Sequence, residues 1–423
     1  MGKQKARWAA AIALCGALLG LVFSAYSTVD YVAHLDRQLH DVRCSFIPGA
    51  AAAEAAENAC RTALYSAYSA VLRDRIWGGI PISLFANGAF AFFIAFAAYL
   101  LVSGNRAPRR GSQFLALAGC TPLVVSIGMA IISWVELGSF CKTCVGTYVA
   151  SLLVAVGGAL GWWLERQAAR RGPDPARPDA DDGGPASAQT PQKLGPASLI
   201  LTWFALLGLF AVAPALLYHE TVPSYAKRVK GCGTLDSAAD PKKALIHFSS
   251  AGATQPVFMV VDPLCATCGV FHQRLMVEGI FEQLDTTLVL FPLDSECNWN
   301  LTTPLHPGAC VVSEAVICGE ERALQVLEWG YEEHERLLAA GKAKGGDKRV
   351  LAMVEARWPA LKGCIGDQQT KKKLDEMIRF AVTNKLPVAT PQFFVGTTRL
   401  CDEDSDIGLP YALRKLAPAL ARR

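Results

Sequence analysis

Charged side chains are scarce in this chain: only 18% of its 423 residues are Asp, Glu, Lys or Arg, whereas 52% are hydrophobic. So apolar a composition excludes a fully soluble protein of this size, and the remaining charge excludes one that lies wholly within a membrane. The net charge is only +4, so the composition gives no reason to propose a nucleic acid partner. Methionine is also rare, with six residues, and the chain lacks a His-rich tract, which argues against copper transfer.

Cysteine, by contrast, is abundant. Fourteen cysteines are many for a chain kept reduced in cytosol, and they favour an oxidising compartment or a redox task. They include two Cys-x-x-Cys pairs, Cys141/Cys144 and Cys265/Cys268, and beyond the recurrence of this pair the sequence has no internal repeat. The two pairs are too far apart for a zinc ribbon, in which they are separated by about 15–20 residues.

Five apolar stretches are long enough to cross a bilayer, which takes about 20 largely apolar residues. They cover residues 8–28, 78–102, 114–135, 144–163 and 197–218. The first follows Lys3, Lys5 and Arg7 and could be a cleaved signal peptide, but its length and its weak cleavage signal favour an uncleaved span. Cys15 and Cys120 lie inside spans, where we expect both to be buried packing residues.

Basic residues indicate how the spans are oriented. One cluster precedes the first span, a second follows the second span, and a third follows the fourth span. In that order, they are Lys3, Lys5 and Arg7; Arg106, Arg109 and Arg110; and Arg166, Arg170 and Arg171. If the spans alternate, all three clusters lie on one side, which the positive-inside rule makes the cytoplasm, although Arg73 and Arg75 fall on the other side. The N-terminus is then inside, and everything after residue 218 is outside.

The chain changes character from about residue 231, with frequent charges, amphipathic helical stretches and short β-branched runs. "ALIHFSS", "PVFMVVD", "TTLVLFPLD" and "TPQFFVG" have the pattern of strands. A helical stretch starts directly at Cys265, a long helical region covers about 309–382, and "LPYALRKLAPALA" closes the chain as a helix. A strand leading into Cys-x-x-Cys at a helix start, then helices, then Thr-Pro before a strand, is a thioredoxin-type order.

The Cys265/Cys268 pair has the setting of a reactive dithiol. At a helix N-terminus, unpaired backbone N–H groups point at the sulfur of Cys265 and lower its pKa, which makes a thiolate available at neutral pH. Cys268, one turn later, can resolve a mixed disulfide on that nucleophile. We expect Pro391 to lie beside the pair as a cis-proline. A plain stabilising disulfide is the less favoured alternative.

The Cys141/Cys144 pair stands where the fourth span begins, and packing does not explain it. A pair at that depth could exchange with aqueous thiols while it reaches a lipid-soluble oxidant. Cys44 and Cys60, in the loop that follows the first span, offer a second pair on the same side. Alone, that pair could be a loop-stabilising disulfide. Three candidate dithiols on one membrane face instead indicate an electron relay.

Several of these motifs together resemble a known family. Loop cysteines Cys44 and Cys60, then Ser66, "GIPISLFANG" opening the second span, and CKTC at the outer end of the fourth resemble the vitamin K epoxide reductase family. "DPLCATC" and "TPQFFVG" resemble DsbA-like thioredoxin-fold oxidoreductases. Nearly all of residues 8–423 resembles bacterial fusion proteins that join both units, which implies a multi-pass protein of the bacterial inner (cytoplasmic) membrane with its C-terminal domain in the periplasm or extracytoplasmic space.

The resemblance also implies roles for individual residues. Cys144 is expected beside the quinone, either ubiquinone or menaquinone, and Cys141 is expected to exchange with Cys60. Cys44 would receive electrons from the thioredoxin-like domain. Ser66 would sit at the quinone pocket and donate a hydrogen bond.

Other candidate residues have simpler interpretations. For Cys232, Cys297, Cys310, Cys318, Cys364 and Cys401 we expect structural disulfides rather than catalysis, with 15 possible connectivities. His272 could tune the nearby thiolate, but we expect an ordinary surface histidine. Glu136 is interpreted as an interfacial charge at the end of the third span.

The sequence therefore predicts a membrane all-α bundle, with a four-helix catalytic core and a fifth linking span, followed by an α/β thioredoxin-like domain with a helical insertion. The expected units are the four-helix domain at 1–166, a flexible cytoplasmic linker at 167–196, the fifth span and connector at 197–229, and the extracytoplasmic domain at 230–423. The predicted activity is quinone-dependent disulfide formation in extracytoplasmic proteins with free thiols. The alternatives are an outward reductive relay and a non-enzymatic metal-handling or chaperone protein.

Overall fold

The computed structural model describes residues 2–36, 54–103, 110–170, 196–221, 225, 229–418 and 420. In this part of the chain, five helical segments are long and apolar enough to cross a membrane. Four are the continuous helices α1 (Gly2–Ala33), α3 (Ile82–Ser103), α4 (Gly111–Val135) and α5 (Lys142–Arg170). The fifth combines α6 (Pro196–Leu207), a π-helical turn at Gly208–Val212 and α7 (Ala213–Thr221). The five predicted spans are confirmed as helices of sufficient length.

Small residues bring the membrane helices close together. Helix α1 packs between α3 and α5, and α4 packs on α5. At Gly157 of α5 an added Cβ would lie 2.6 Å from the backbone nitrogen of Ala13 on α1, so only glycine permits this approach. The fifth segment packs on the bundle through Trp203, whose indole N–H donates to Thr121 at 2.9 Å.

The expectation that Cys15 and Cys120 are buried is wrong, because both are exposed on the outside of the bundle. The sequence could not show this. A membrane helix is apolar on its lipid-facing side as well as on its packed side, so apolar periodicity does not distinguish the two. Cys120 donates its S–H to the carbonyl of Ala116 in its own helix, at 3.2 Å.

A short helix and a small hairpin connect the first and second spans on one side of the bundle. The helix, α2, covers Glu54–Tyr65, and the two strands are β1 (Ala70–Val71) and β2 (Ile80–Pro81), paired antiparallel. The hairpin loop carries Arg73 and Trp77, and both side chains are buried.

The C-terminal part is an α/β domain with a five-stranded mixed sheet. Its strands are β3 (Ile246–Ser249), β4 (Gln255–Val261), β5 (Leu284–Leu290), β6 (Gln392–Val395) and β7 (Thr398–Arg399), in the order β3-β5-β4-β6-β7. Strands β4 and β5 are parallel, and all other pairs are antiparallel. Helix α8 (Ala266–Val277) makes the crossover between β4 and β5. This is the predicted thioredoxin-type fold.

The predicted helical insertion stands between β5 and β6. It comprises α9 (Ala309–Cys318), α10 (Ala323–Glu332), α11 (His334–Lys342), α12 (Gly346–Arg357) and α13 (Gln368–Thr383), and after β7 the domain ends with α14 (Leu409–Leu416). The six other cysteines form disulfides, as expected: Cys232–Cys401, Cys297–Cys310 and Cys318–Cys364.

The C-terminal α/β domain, predicted at residues 230–423 and called the outer domain below, is docked on the membrane bundle. One continuous hydrophobic core contains Tyr31, Leu35 and Trp77 from the membrane part together with Ile407 and Tyr411 from the outer domain. The ring of Trp77 lies edge-on to that of Tyr411, with centroids 5.9 Å apart. Docking places helix α8 of this domain against α2.

Candidate active site

The outer dithiol lies at the start of α8. Cys265 is the N-cap residue of this helix, and its sulfur accepts a hydrogen bond from the backbone N–H of Cys268 at 3.3 Å. A hydrogen bond from the Cys268 thiol, with smaller contributions from Thr390 and Thr267, lowers the pKa of Cys265 to about 6 against the opposing effect of burial. Burial and the neighbouring Cys265 raise the pKa of Cys268. The pair therefore combines a nucleophilic thiolate with a protonated resolving thiol.

The predicted cis-proline is confirmed. The Thr390–Pro391 peptide bond is cis, and the carbonyl oxygen of Thr390 lies 3.5 Å from the sulfur of Cys265. A groove of about 160 Å³ runs beside it and is lined by Thr267, Phe271 and Pro391 among others. An extended peptide placed in this groove would bring its own thiol towards Cys265.

The membrane dithiol stands at the outer end of the fourth span. Cys141 immediately precedes α5 and is buried, and Cys144 lies in the first turn of that helix. A hydrogen bond with the Cys144 thiol, supported by the Thr143 hydroxyl 2.9 Å away, lowers the pKa of Cys141 although burial opposes the shift. Cys141 therefore has the properties of the exchanging member of its pair.

The sulfur of Cys60 contacts that of Cys141 at 3.1 Å. Cys60 lies on α2 and is itself disulfide-bonded. Thiol–disulfide exchange requires one sulfur to approach another within contact distance, and this pair meets that requirement. Cys44, the predicted partner of Cys60, lies outside the described residues, so its role stays a prediction.

A cavity of about 380 Å³ extends from these sulfurs into the bundle. Cys60, Cys141 and Cys144 form part of its wall, and most of the surface of this wall is apolar. Fifteen of the lining residues also carry a hydroxyl group, among them Ser66, Thr121, Ser126, Ser133, Thr147 and Tyr148. Ser66 is at the cavity, as expected, but its hydroxyl donates to the carbonyl of Ala63 at 2.9 Å. A cavity with a largely apolar surface, hydroxyl groups along its wall and a dithiol at one end suits an apolar ring that carries carbonyl groups.

Arg73 is a site residue that the sequence analysis did not find. Its guanidinium donates to the carbonyls of Tyr65 at 3.2 Å and Ser66 at 2.8 Å, and to the carboxylate of Glu278 at 3.0 Å. In the sequence Arg73 appeared only as an exception to the charge pattern of the spans. The carboxylate that it binds, Glu278, lies 205 residues away in the sequence, and no local sequence pattern reveals such a contact.

The expectation of a surface histidine at position 272 is wrong. His272 is buried on the inner face of α8, where it bonds Glu328 at 3.0 Å and its ring packs edge-on to Phe281. Helix α10 of the insertion covers this face. Glu136 is found where expected, as the residue that follows the last residue of α4.

A second histidine, His306, contacts the segment before the outer dithiol. Asp262 is fully buried and accepts hydrogen bonds from the backbone of Leu264 at 2.7 Å and Leu293 at 2.6 Å and from the ring of His306 at 2.8 Å. Burial would lower the pKa of His306, but Asp262 outweighs burial and raises it. These bonds fix the turn that presents Cys265.

Fold and site together define a membrane protein with two dithiols, one at the helix start of a thioredoxin-type domain and one at the outer end of a helical bundle. Residues 11–157 match the model of the vitamin K epoxide reductase family, which covers the first four spans except for the ends of the first and fourth. This part of the chain is therefore a vitamin K epoxide reductase family domain. With the two dithiol sites, the match supports a thiol–disulfide oxidoreductase.

A crystal structure of an alpha-DsbA1 variant from Wolbachia pipientis is similar to 39% of this chain and 79% of its own, with 15% identity and a TM-score of 0.28. No curated protein matches the sequence. The assignment of the thioredoxin-type fold comes from the strand order and the position of the cis-proline, independently of this similarity.

Proposed function

We propose that the protein forms disulfides in extracytoplasmic proteins and passes the electrons to a membrane quinone. The contact that carries this proposal is the 3.1 Å approach of Cys60 to Cys141, at the wall of a cavity that Cys144 also lines. It supports an exchange route from the loop into the bundle. The basic clusters support an inner-membrane location with the outer domain on the extracytoplasmic side, and the four units keep their proposed bounds at 1–166, 167–196, 197–229 and 230–423.

The first exchange takes place in the outer domain. A substrate thiolate attacks Cys265 in the Cys265–Cys268 disulfide and releases Cys268 as a thiolate. The second substrate thiolate then displaces Cys265, which leaves the substrate oxidised and the pair reduced. The low pKa of Cys265 makes it a good leaving group in this second displacement.

The reduced pair is reoxidised through the loop. The Cys265 thiolate attacks Cys44 in a Cys44–Cys60 disulfide, and Cys268 resolves the adduct by displacing Cys44. Two electrons have then moved to the loop pair, and Cys60 is free to attack the next disulfide. A tether within one chain makes this exchange intramolecular, with an effective concentration near millimolar for a flexible linkage of suitable reach.

The last protein step joins the loop to the bundle. Cys60 attacks Cys141 in a Cys141–Cys144 disulfide, Cys144 leaves as a thiolate at the cavity, and Cys44 resolves the Cys60–Cys141 adduct. A bound quinone would accept the two electrons and two protons that restore the Cys141–Cys144 disulfide. The cavity holds the residues for this role: Cys144 at one end, a largely apolar wall surface, and hydroxyls such as that of Tyr148 that can orient carbonyl oxygens, with Ser66 available if its hydroxyl turns from Ala63 to the ligand.

The deciding experiment is quinone reduction by the purified full-length protein supplied with a reduced dithiol protein. We expect one quinone reduced for each substrate disulfide formed. Cys144→Ser should abolish quinone reduction, whereas Cys120→Ser, which changes a cysteine on the outside of the bundle, should leave it unchanged. Quinone turnover that persists in Cys144→Ser would refute the route. Bound metal with no quinone turnover would instead favour a metal-handling protein.

A further inference from the structure

The helix that carries the outer dithiol lies directly against the helix that carries Cys60. Gln273 of α8 reaches the hydroxyl of Thr62 on α2 at 3.5 Å, and the guanidinium of Arg274 lies 4.3 Å from the ring centre of Tyr65 at the end of α2. Arg274 is almost completely buried. These contacts join α8, at whose start Cys265 lies, to α2, which carries Cys60. In the proposed relay, electrons pass between the cysteine pairs of these two helices.

A buried ion pair crosses the same interface. Arg73, in the hairpin loop of the membrane domain, and Glu278, the residue that caps the C-terminus of α8, are 3.0 Å apart, with side chains only 7% and 2% exposed. Glu278 also lies 3.9 Å from Arg274, so an arginine from each domain faces one carboxylate. Removing one member of this pair would leave the other charge buried and unpaired, which is costly, so a single substitution should weaken the docked state.

Arg73 also fixes the position of the loop cysteine. Its two bonds to the carbonyls of Tyr65 and Ser66 close the end of α2, five and six residues beyond Cys60. The last carbonyls of a helix have no partner within the helix, and here the guanidinium supplies one. One side chain therefore holds both the end of the Cys60 helix and the end of the Cys265 helix.

We infer, resting on the function proposed above, that Arg73 and Glu278 are positioning residues for electron transfer between the two domains. Their contact aligns α8, which begins beside Cys265, with α2, which carries Cys60. Neither side chain touches a reacting sulfur. Their contribution should therefore appear only in steps that cross the interface.

Two assays with the same full-length protein separate this role from a general loss of structure. In the first, a reduced peptide dithiol drives quinone reduction through Cys265. In the second, Cys265 and Cys268 are both alanine, and dithiothreitol has to enter at the loop or at the membrane pair. Glu278→Gln should slow the first assay about tenfold, which corresponds to about 1.4 kcal/mol of docking free energy, and should change the second less than twofold. Glu333→Gln, which breaks the exposed Arg336–Glu333 pair, is the matched control and should change neither.

A measurement without quinone tests docking itself. In hydrogen–deuterium exchange of the full-length protein, Glu278→Gln should speed exchange in peptides from both sides of the interface, residues 66–79 and 402–408, and leave strands β4 and β5 unchanged. Adding Arg73→Gln to Glu278→Gln should speed exchange at 402–408 no further, because both changes remove one contact.

Two results would overturn the positioning role: equal slowing of both quinone assays, or unchanged exchange at the interface peptides. If the unmutated protein reduces no quinone with either reductant, the proposed function fails. The exchange measurement then still decides whether Arg73 and Glu278 hold the domains together.

Discussion

The sulfur atoms of Cys60 and Cys141 lie 3.1 Å apart, although 81 residues separate them in the sequence. One is on a short helix outside the bundle and the other precedes the fourth span. The contact therefore joins the short helix α2 to the membrane bundle, and both residues are buried. A disulfide between these two residues is an expected intermediate, and it can be trapped.

Removing the partners of Cys60 and Cys141 should make their link permanent. In a variant with Cys44→Ala and Cys144→Ala, neither sulfur has an alternative partner in its own pair, so mild oxidation should join Cys60 to Cys141. Mass spectrometry of a non-reduced digest would show the linked peptides. The variant Cys44→Ala with Cys141→Ala is the control, and it should yield far less of a Cys60–Cys144 link. Equal yields would mean that Cys141 is not the exchanging residue.

The entry to the relay can be trapped in the same way. In a variant with Cys268→Ala and Cys60→Ala, an adduct between Cys265 and Cys44 has no resolving thiol and should accumulate. Protease cleavage near residues 222–230 would leave the two halves joined on a non-reducing gel and separated on a reducing one. Restoring Cys268 should make the link scarce. Halves that separate without reductant, while both cysteines still react with alkylating reagents, would exclude this step.

The sidedness proposed from the basic clusters has a direct test. In intact cells, a membrane-impermeant thiol reagent applied after mild reduction should label Cys265 from outside. Lysed cells provide the reference for complete labelling. If labelling requires rupture of the inner membrane, the orientation of the five spans is reversed or one span is absent.

The reactivity of Cys265 should depend on pH in a specific way. Because its pKa is about 6, the thiolate fraction falls as the pH drops through 6, and the rate of alkylation should fall with it and be level above about pH 7. The hydrogen bond from Cys268 is the largest cause of the lowered pKa, so Cys268→Ala should move the midpoint upwards. Mass spectrometry of the alkylated Cys265 peptide across a pH series measures the rate of alkylation and its midpoint in the unmutated protein and in Cys268→Ala. An unchanged midpoint would mean that the remaining contacts of Cys265, with the backbone N–H of Cys268, Thr390 and Thr267, keep its pKa low.

The structural disulfides should contribute unequally to stability. A cross-link constrains the unfolded chain more when it closes a longer loop. The Cys318–Cys364 loop has a sequence separation of 46 and the Cys297–Cys310 loop one of 13, which corresponds to about 4 and about 3 kcal/mol respectively. Paired alanine variants of the full-length protein should both unfold at lower temperature, and loss of the longer loop should cost more. The reverse order would indicate that residual structure in the unfolded state dominates.

Features with a local cause could be predicted from the sequence. The lengths of the spans follow from runs of apolar residues. The start of α8 follows from the position of Cys265 directly after a buried strand. The cis bond at Pro391 is expected from the Thr-Pro motif before a strand. Disulfides among the six other cysteines followed from their number, but their pairing did not, because it depends on how the insertion folds. The positions of Cys60 and Ser66 at the cavity came from the family resemblance.

Features with a distant cause could not be predicted. His272 is buried because α10, more than fifty residues later, covers that face of α8. Cys15 and Cys120 face outwards because helix packing, which apolar composition does not reveal, decides which side meets lipid. In the sequence, Arg73 is only an exception to the positive-inside pattern, because the carboxylate that it binds, Glu278, belongs to another domain. In each case the environment of the residue is decided by helices or side chains that are distant in the sequence.

The Cys232–Cys401 bridge joins the beginning of the outer domain to the segment before its last helix, across 169 residues. All of the sheet and the whole insertion lie inside this covalent ring, so a single cut within it releases no fragment. A newly made chain lacks the ring and has to acquire it in the compartment where the domain works. If the proposed function holds, each molecule itself contains a bridge of the kind that it forms in other proteins, and the two cysteines of this bridge have to be oxidised before the ring around the domain is closed.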